Sequence, residues 1–144
     1  MVRLHVERVI AAMPERVFDW LDDPANLVTA PMILRAGWAA DSVEPGAGAV
    51  REAVGTGVWL REQITEYDRP HRYSYLIVRS FPAFGHEGGT VTLSAATGGT
   101  HVDWVSSYSH PLRAGGAALN VITARLLPWN FEAILAACAR ALER

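Results

Sequence analysis

The stretch Leu127-Pro128-Trp129-Asn130-Phe131-Glu132-Ala133-Ile134-Leu135-Ala136-Ala137-Cys138-Ala139-Arg140-Ala141-Leu142 decides how the chain must fold. Leu127, Phe131, Ile134, Leu135, Cys138 and Leu142 fall at i, i+4, i+7, i+8, i+11 and i+15, which is one apolar stripe on a helix. Arg125, Glu132, Arg140 and Glu143 lie mainly off that stripe. The helical segment is expected to run from about residue 111 to residue 144. Pro128 is expected to kink it or divide it into two pieces, because proline removes a backbone donor and crowds the preceding turn. Such a helix cannot bury its stripe alone. The rest of the chain must supply the surface that covers it.

Working outward, that surface reads as strands. Asp68-Arg69-Pro70-His71 is a polar turn between apolar runs at 58–67 and 72–80. Pairing Tyr67 with Arg72 puts Leu60, Glu62, Ile64 and Glu66 on one face with Arg79, Ile77, Tyr75 and Tyr73. Gly98-Gly99 signals a second hairpin between 86–96 and 100–110. Pairing Thr97 with Thr100 puts Ala95, Leu93, Val91, Gly89 and Glu87 on the face of Val102, Trp104, Ser106, Tyr108 and His110. Both hairpins therefore turn their bulky apolar and aromatic residues to a common side. Nearer the N-terminus, Val2, Leu4 and Val6 alternate with polar residues in a first strand to about Ile10. Met13-Pro14-Glu15 opens a helix with Val17, Phe18 and Leu21 inward, and Asp22-Asp23-Pro24 stops it ahead of a short second helix to about Val28. Residues 33–44 and 49–54 complete the strands, with Pro45-Gly46-Ala47-Gly48 and Gly55-Thr56-Gly57 as turns. The order is strand, two helices, six strands, long helix. It predicts one α+β domain over residues 1–144 with an antiparallel sheet.

Composition narrows the function. The chain has 144 residues, enough for one domain with a sizeable core, and a net charge of -2. It has no basic block to suggest nucleic acid as a partner. No apolar run reaches the roughly 20 residues of a membrane span, and the charged, alternating first residues are unlike a signal peptide. A cytoplasmic location is the expectation. There is no lysine, which excludes a Schiff base and a Walker-type phosphate loop. The one cysteine, Cys138, reads as a small core residue. Metal ligation is not expected, since His101-x-Asp103 would face outward and the other histidines are scattered.

Certain motifs carry a resemblance. Ala12-Met13-Pro14-Glu15-Arg16-Val17-Phe18 followed by Leu21-Asp22-Asp23-Pro24 is similar to the opening of the START-like, or helix-grip, superfamily (SRPBCC). Val58 to Tyr67, Arg72-Tyr73-Ser74-Tyr75 and Gly99-Thr100-His101-Val102-Asp103-Trp104 extend the likeness over nearly the whole chain. That superfamily includes polyketide cyclases and dehydrases, birch-pollen allergen relatives and plant abscisic acid receptors. The resemblance implies a curved seven-stranded sheet gripping the last helix, in the order β-α-α-β6-α, with a cavity between. It implies no reaction, because a fold does not set a function.

The candidate site follows from the inward face. Tyr73, Tyr75, Trp104 and Tyr108 offer aromatic surface, and Ile64, Ile77, Val91 and Leu93 aliphatic surface. Glu62, Arg79, Ser106 and His110 add a few polar groups, a mixture suited to a small hydrophobic ligand such as a lipid, polyketide or aromatic compound. Trp104 is large enough to fill the space itself. Glu62, between Leu60 and Ile64, needs a partner or must be protonated. Arg79 lies diagonally across the hairpin, so Glu62 is either half of a structural ion pair or a ligand-orienting, proton-transferring carboxylate. Glu87 falls opposite His110, a pairing suited to general acid–base work, unless a bulge at Gly88-Gly89 turns Glu87 outward. Phe81-Pro82-Ala83-Phe84-Gly85 is either a lid or a cap on the core. Two functions are carried forward. The first is binding, with Glu62, Tyr73, Tyr75, Ile77, Arg79, Trp104, Tyr108 and His110 as ligand contacts. The second is a cyclase or dehydratase moving protons through Glu62 or Glu87/His110. No cofactor is expected for either.

Overall fold

The computed structural model describes residues 2–110 and 116–143. Strand β1 (Val2–Ile10) leads into helix α1 (Pro14–Asp22) and a 3₁₀ turn (Pro24–Thr29). Six strands follow: β2 (Ile33–Trp38), β3 (Val50–Gly55), β4 (Val58–Asp68), β5 (Arg72–Phe81), β6 (Gly85–Ala96) and β7 (Gly99–Ser109). Helix α2 (Gly116–Leu142) ends the order. The strands form one antiparallel sheet in the order β1-β7-β6-β5-β4-β3-β2. This is the α+β helix-grip arrangement expected from the sequence.

Local chemistry explains the boundaries. Pro14 occupies the first turn of α1, where its missing N–H costs nothing. The Asp23 carboxylate accepts from the Ala25 N–H at 3.0 Å and starts the 3₁₀ turn. β2 is shorter than the stretch 33–44 because the Ala39 N–H donates to Val50 and the Ser42 N–H to Ala39, which turns the chain back. Gly99 is fixed by space: a Cβ there would stand 2.1 Å from the Ile10 carbonyl oxygen.

Helix α2 runs through Pro128 as one assigned helix rather than two pieces. Residues 111–115, where the sequence pattern began the helix, lie outside the described residues. Pro128 instead marks a change in surroundings. Beyond it Ile134, Leu135 and Cys138 are buried against Val6, Ile10, Val17, Phe18, Val91, Leu93 and Val102. Before it Val121, Ile122 and Leu126 are exposed. By length and composition alone α2 is apolar enough to cross a membrane. In the fold, its C-terminal half forms the core instead.

Two bulges correct the predicted register. In the first hairpin Tyr67 pairs with Tyr73 rather than Arg72, a shift undone at Ile64↔Tyr75 and Glu62↔Ile77. A second irregularity between Arg61 and Glu62 puts Leu60 opposite Ser80 and leaves Arg79 exposed. In the second hairpin the turn residues are Thr97 and Gly98, so from Gly88 to Ala96 every pair sits two residues from the predicted one and the faces stay the same; before Gly88 the register slips by one more.

Candidate functional site

The concave face of the sheet and the length of α2 enclose a cavity of about 340 Å³. Its lining mixes the apolar groups of Leu4, Ile77, Leu127 and Ile134 with two polar assemblies.

The first assembly is an ion pair. Arg51 on β3 stands directly opposite Glu62 on β4, set there by the hairpin that turns at Thr56-Gly57. The Arg51 guanidinium pairs with the Glu62 carboxylate, and both side chains are almost wholly buried. Burial works against the Arg51 charge. The Glu62 carboxylate, with Tyr73, outweighs it and holds the guanidinium above its ordinary pKa. The Arg51 Nη1 also faces the Leu21 and Asp22 carbonyls that end α1, at 3.5 Å each. Its guanidinium lies 5.5 Å from the centre of the Tyr73 ring.

The second assembly is neutral. The Trp104 Nε1–H donates to the Tyr75 hydroxyl at 2.8 Å. His86 Nδ1 accepts from the Ile77 backbone N–H at 3.0 Å, and burial lowers its imidazole pKa to about 4. A neutral ring that accepts at Nδ1 carries its proton on Nε2, so Nε2–H donates to Ser106 Oγ at 3.0 Å. The Ser106 hydroxyl lies beside the Tyr75 hydroxyl. The His86 ring stacks on Tyr75, with centroids 5.5 Å apart and planes 16° apart. Gly89 makes this possible. A Cβ there would lie 2.2 Å from Tyr75 Cζ. Burial, then the Glu62 carboxylate, raises the Tyr75 pKa, and burial pushes Tyr73 up to about 12; both stay protonated.

At the outer end, the β5–β6 loop and the first half of α2 meet. Pro82, Ala83 and Phe84 line the cavity with Leu119, Ile122 and Leu126. Phe84 packs edge-on against Tyr108 at 6.4 Å and tilted against His110 at 5.6 Å, while Phe81 is exposed. Thr123 Oγ1 gives its proton to the Leu119 carbonyl at 2.9 Å. It therefore accepts from both the Tyr108 hydroxyl at 2.7 Å and His110 Nε2 at 3.1 Å. The His110 backbone N–H donates to Asn120 Oδ1 at 3.0 Å. Burial lowers the His110 pKa as well.

The predicted residues are thus placed as follows. Glu62, Tyr73, Tyr75, Ile77, Trp104, Tyr108 and His110 all line the cavity. Arg79 does not. It points outward over the Trp59 ring at 6.0 Å, and Arg51 takes the role expected of it beside Glu62. Glu87 is exposed, because the register slips between His86 and Gly88 and brings His86 inward in its place. The expected Glu87–His110 pair is not formed. Trp104 does not fill the space alone; it stacks on Phe131 of α2 at 4.2 Å and leaves the cavity beside it. Arg51 and His86 were missed. Registering the Gly55-Thr56-Gly57 turn, as was done for the other two hairpins, would have found Arg51. On the outer face His5, Glu7 and Asp103 come within metal-ligand spacing of one another, with His101 Nε2 3.3 Å from Glu7. They belong to strands far apart in the chain, so linear spacing could not reveal the group. They are exposed or half-exposed and already pair among themselves.

Residues 1–143 match the family described as "Polyketide cyclase / dehydrase and lipid transport". The chain belongs to that family, within the START-like, SRPBCC superfamily. Solved structures place it in the same fold. TTHA0849 from Thermus thermophilus superposes with a TM-score of 0.78 at 21% identity, over 96% of this chain and 94% of that one. CV1439 from Chromobacterium violaceum gives 0.69 at 19% identity, over 100% and 99% of the two chains. Ara h 8.0201 gives 0.64 at 16% identity, over 94% and 96%. No protein among those with curated descriptions matches the sequence. At these identities the likeness of this family member to the solved structures is one of fold.

Proposed function

We propose that this protein binds a hydrophobic small molecule, a lipid, polyketide or aromatic compound, in the cavity between the sheet and α2. The cavity carries the reading: about 340 Å³, mostly apolar, with polar groups gathered at few points, which are the usual marks of a small-ligand site. Membership of a family described by lipid transport and polyketide cyclisation supports it. In this reading Tyr73, Tyr75, Ile77, Trp104 and Tyr108 contact the body of the ligand, and His110 stands at the entrance. The loop from Phe81 to Gly85 acts as a lid through Phe84. The catalytic alternative would have to use Glu62, because Glu87 and His110 are apart, and the Glu62 carboxylate is held by Arg51. Binding is therefore the better-supported function.

Native mass spectrometry of the protein purified from its own host tests it, with a denatured control. A retained small-molecule mass, released on denaturation, is the expected result. A bare protein that also fails to bind a panel of naphthalene derivatives counts against it.

A further inference from the structure

The binding reading leaves open what chemistry the ligand presents. The wall supplies charge only as a closed pair: among the described residues Arg51 and Glu62 are the charged side chains lining the cavity, and each neutralises the other. The two histidines on the lining, His86 and His110, are both neutral at pH 7 because burial disfavours their cations. An incoming carboxylate would therefore be desolvated with no free cation to meet it, at a cost far above that of one hydrogen bond.

Tyr75 supplies the other half of the argument. A phenol oxygen accepts two hydrogen bonds and donates one. The Trp104 indole N–H fills one acceptor position of Tyr75, and the His86 Nε2–H fills one of Ser106 beside it; the two hydroxyls hold two protons and can share only one of them with each other. Among the hydrogen bonds of the described residues one proton of this pair is left without an acceptor, and both Ser106 and the Tyr75 ring line the cavity. The ring cannot turn freely to find one, since Gly89 lies beneath it and His86 is stacked beside it. A buried donor without a partner favours a ligand that provides one.

We propose that the Tyr75–Ser106 hydroxyl pair is the specificity-determining hydrogen-bond donor of the cavity, and that it selects ligands carrying an uncharged oxygen acceptor, a ketone or ester carbonyl, over hydrocarbons and over carboxylates. This rests on the cavity being a ligand site. Trp104 and His86 are positioning residues: each fills an acceptor position on one of the two hydroxyls without touching the acceptor of the ligand.

The test uses three probes of nearly equal shape at pH 7.5: 2-ethylnaphthalene, 2-acetylnaphthalene and 2-naphthoate, titrated by calorimetry or by tryptophan fluorescence. The ketone should bind about 5-fold tighter than the hydrocarbon, the net worth of one neutral hydrogen bond. The carboxylate should bind at least about 100-fold more weakly than the ketone. In the double variant Tyr75→Phe, Ser106→Ala the ketone-to-hydrocarbon ratio should fall to about 1. The carbonyl stretch of the ketone bound to the unaltered protein should move to lower frequency than in hexane, a readout that stands even where the variant fails to fold. If the hydrocarbon binds but the ketone is no tighter, or its carbonyl stretch does not move, the assignment to the Tyr75–Ser106 pair is overturned while the cavity reading survives. If naphthoate matches the ketone, the exclusion of anions is overturned. If none of the three binds, the cavity reading itself falls, and this inference with it.

Discussion

The Arg51–Glu62 pair and the Tyr75–Trp104–Ser106–His86 cluster share one concave face, yet they meet the cost of burial in different ways. The pair keeps both charges and depends on each partner cancelling the other. The cluster gives up charge altogether: His86 is neutral, and directed hydrogen bonds join its ring to Ser106 and the Trp104 indole to Tyr75. A charged pair is all-or-nothing, because removing one member strands the other in a low-dielectric site. A neutral network loses one hydrogen bond at a time. The wall thus combines a rigid charged element, anchored to the end of α1 through Arg51, with a softer neutral element that can present a proton.

Breaking the pair should have the largest effect. Glu62→Gln leaves Arg51 buried and unpaired and should cost about 3–5 kcal/mol in urea unfolding. The double variant Arg51→Leu, Glu62→Leu should recover most of that loss. A single-variant cost below about 1 kcal/mol would remove the distinction between the two assemblies. Next comes Gly89→Ala. Its Cβ must displace the Tyr75 ring, which His86 and Trp104 hold in place, at about 1–3 kcal/mol. The near-ultraviolet dichroism of Trp104 should change with it, and an unchanged spectrum would mean that Tyr75 moves freely.

Acidity sharpens the comparison in a third way. The pKa of His86 is about 4 in the fold against an ordinary 6.5, so between those values the unfolded chain holds more protons. Stability from this group should therefore fall as pH drops from about 6.5 to about 4, and level off below. The fall should be roughly 1–2 kcal/mol, about half the full shift, because the ring is partly exposed. His86→Gln keeps an acceptor and a donor but cannot titrate in this window. Its stability curve should be flatter than that of the parent by that amount. The smallest effect is expected for Ser106→Ala, about 1 kcal/mol, with unfolding still cooperative.

Much of this was legible beforehand. The α2 stripe and the two later hairpins fixed the fold class, because period and face survive small errors in pairing. The second hairpin shows why: from Gly88 to Ala96 a shift of two residues leaves the side chains on their own faces. The site was less legible where one residue mattered. A single extra residue near Gly88 exchanged Glu87 for His86, and another near Arg61 turned Arg79 outward. Bulges depend on sheet curvature, which leaves only a faint glycine signal in the sequence. The loss of His86 basicity was hidden for the same reason, since it follows from burial among residues distant in the chain.

Cys138 gives the fold a built-in clock. It is the chain's one thiol, wholly buried on the gripped half of α2, and burial, then the nearby Glu143, pushes its pKa up to about 12. A disulfide reagent at neutral pH meets neither an accessible sulfur nor a thiolate until that half of the helix leaves the sheet. The pace of labelling therefore counts the moments when the grip releases. Because the reporter belongs to the natural sequence, those moments can be timed with the cavity empty or filled, and without altering a single residue.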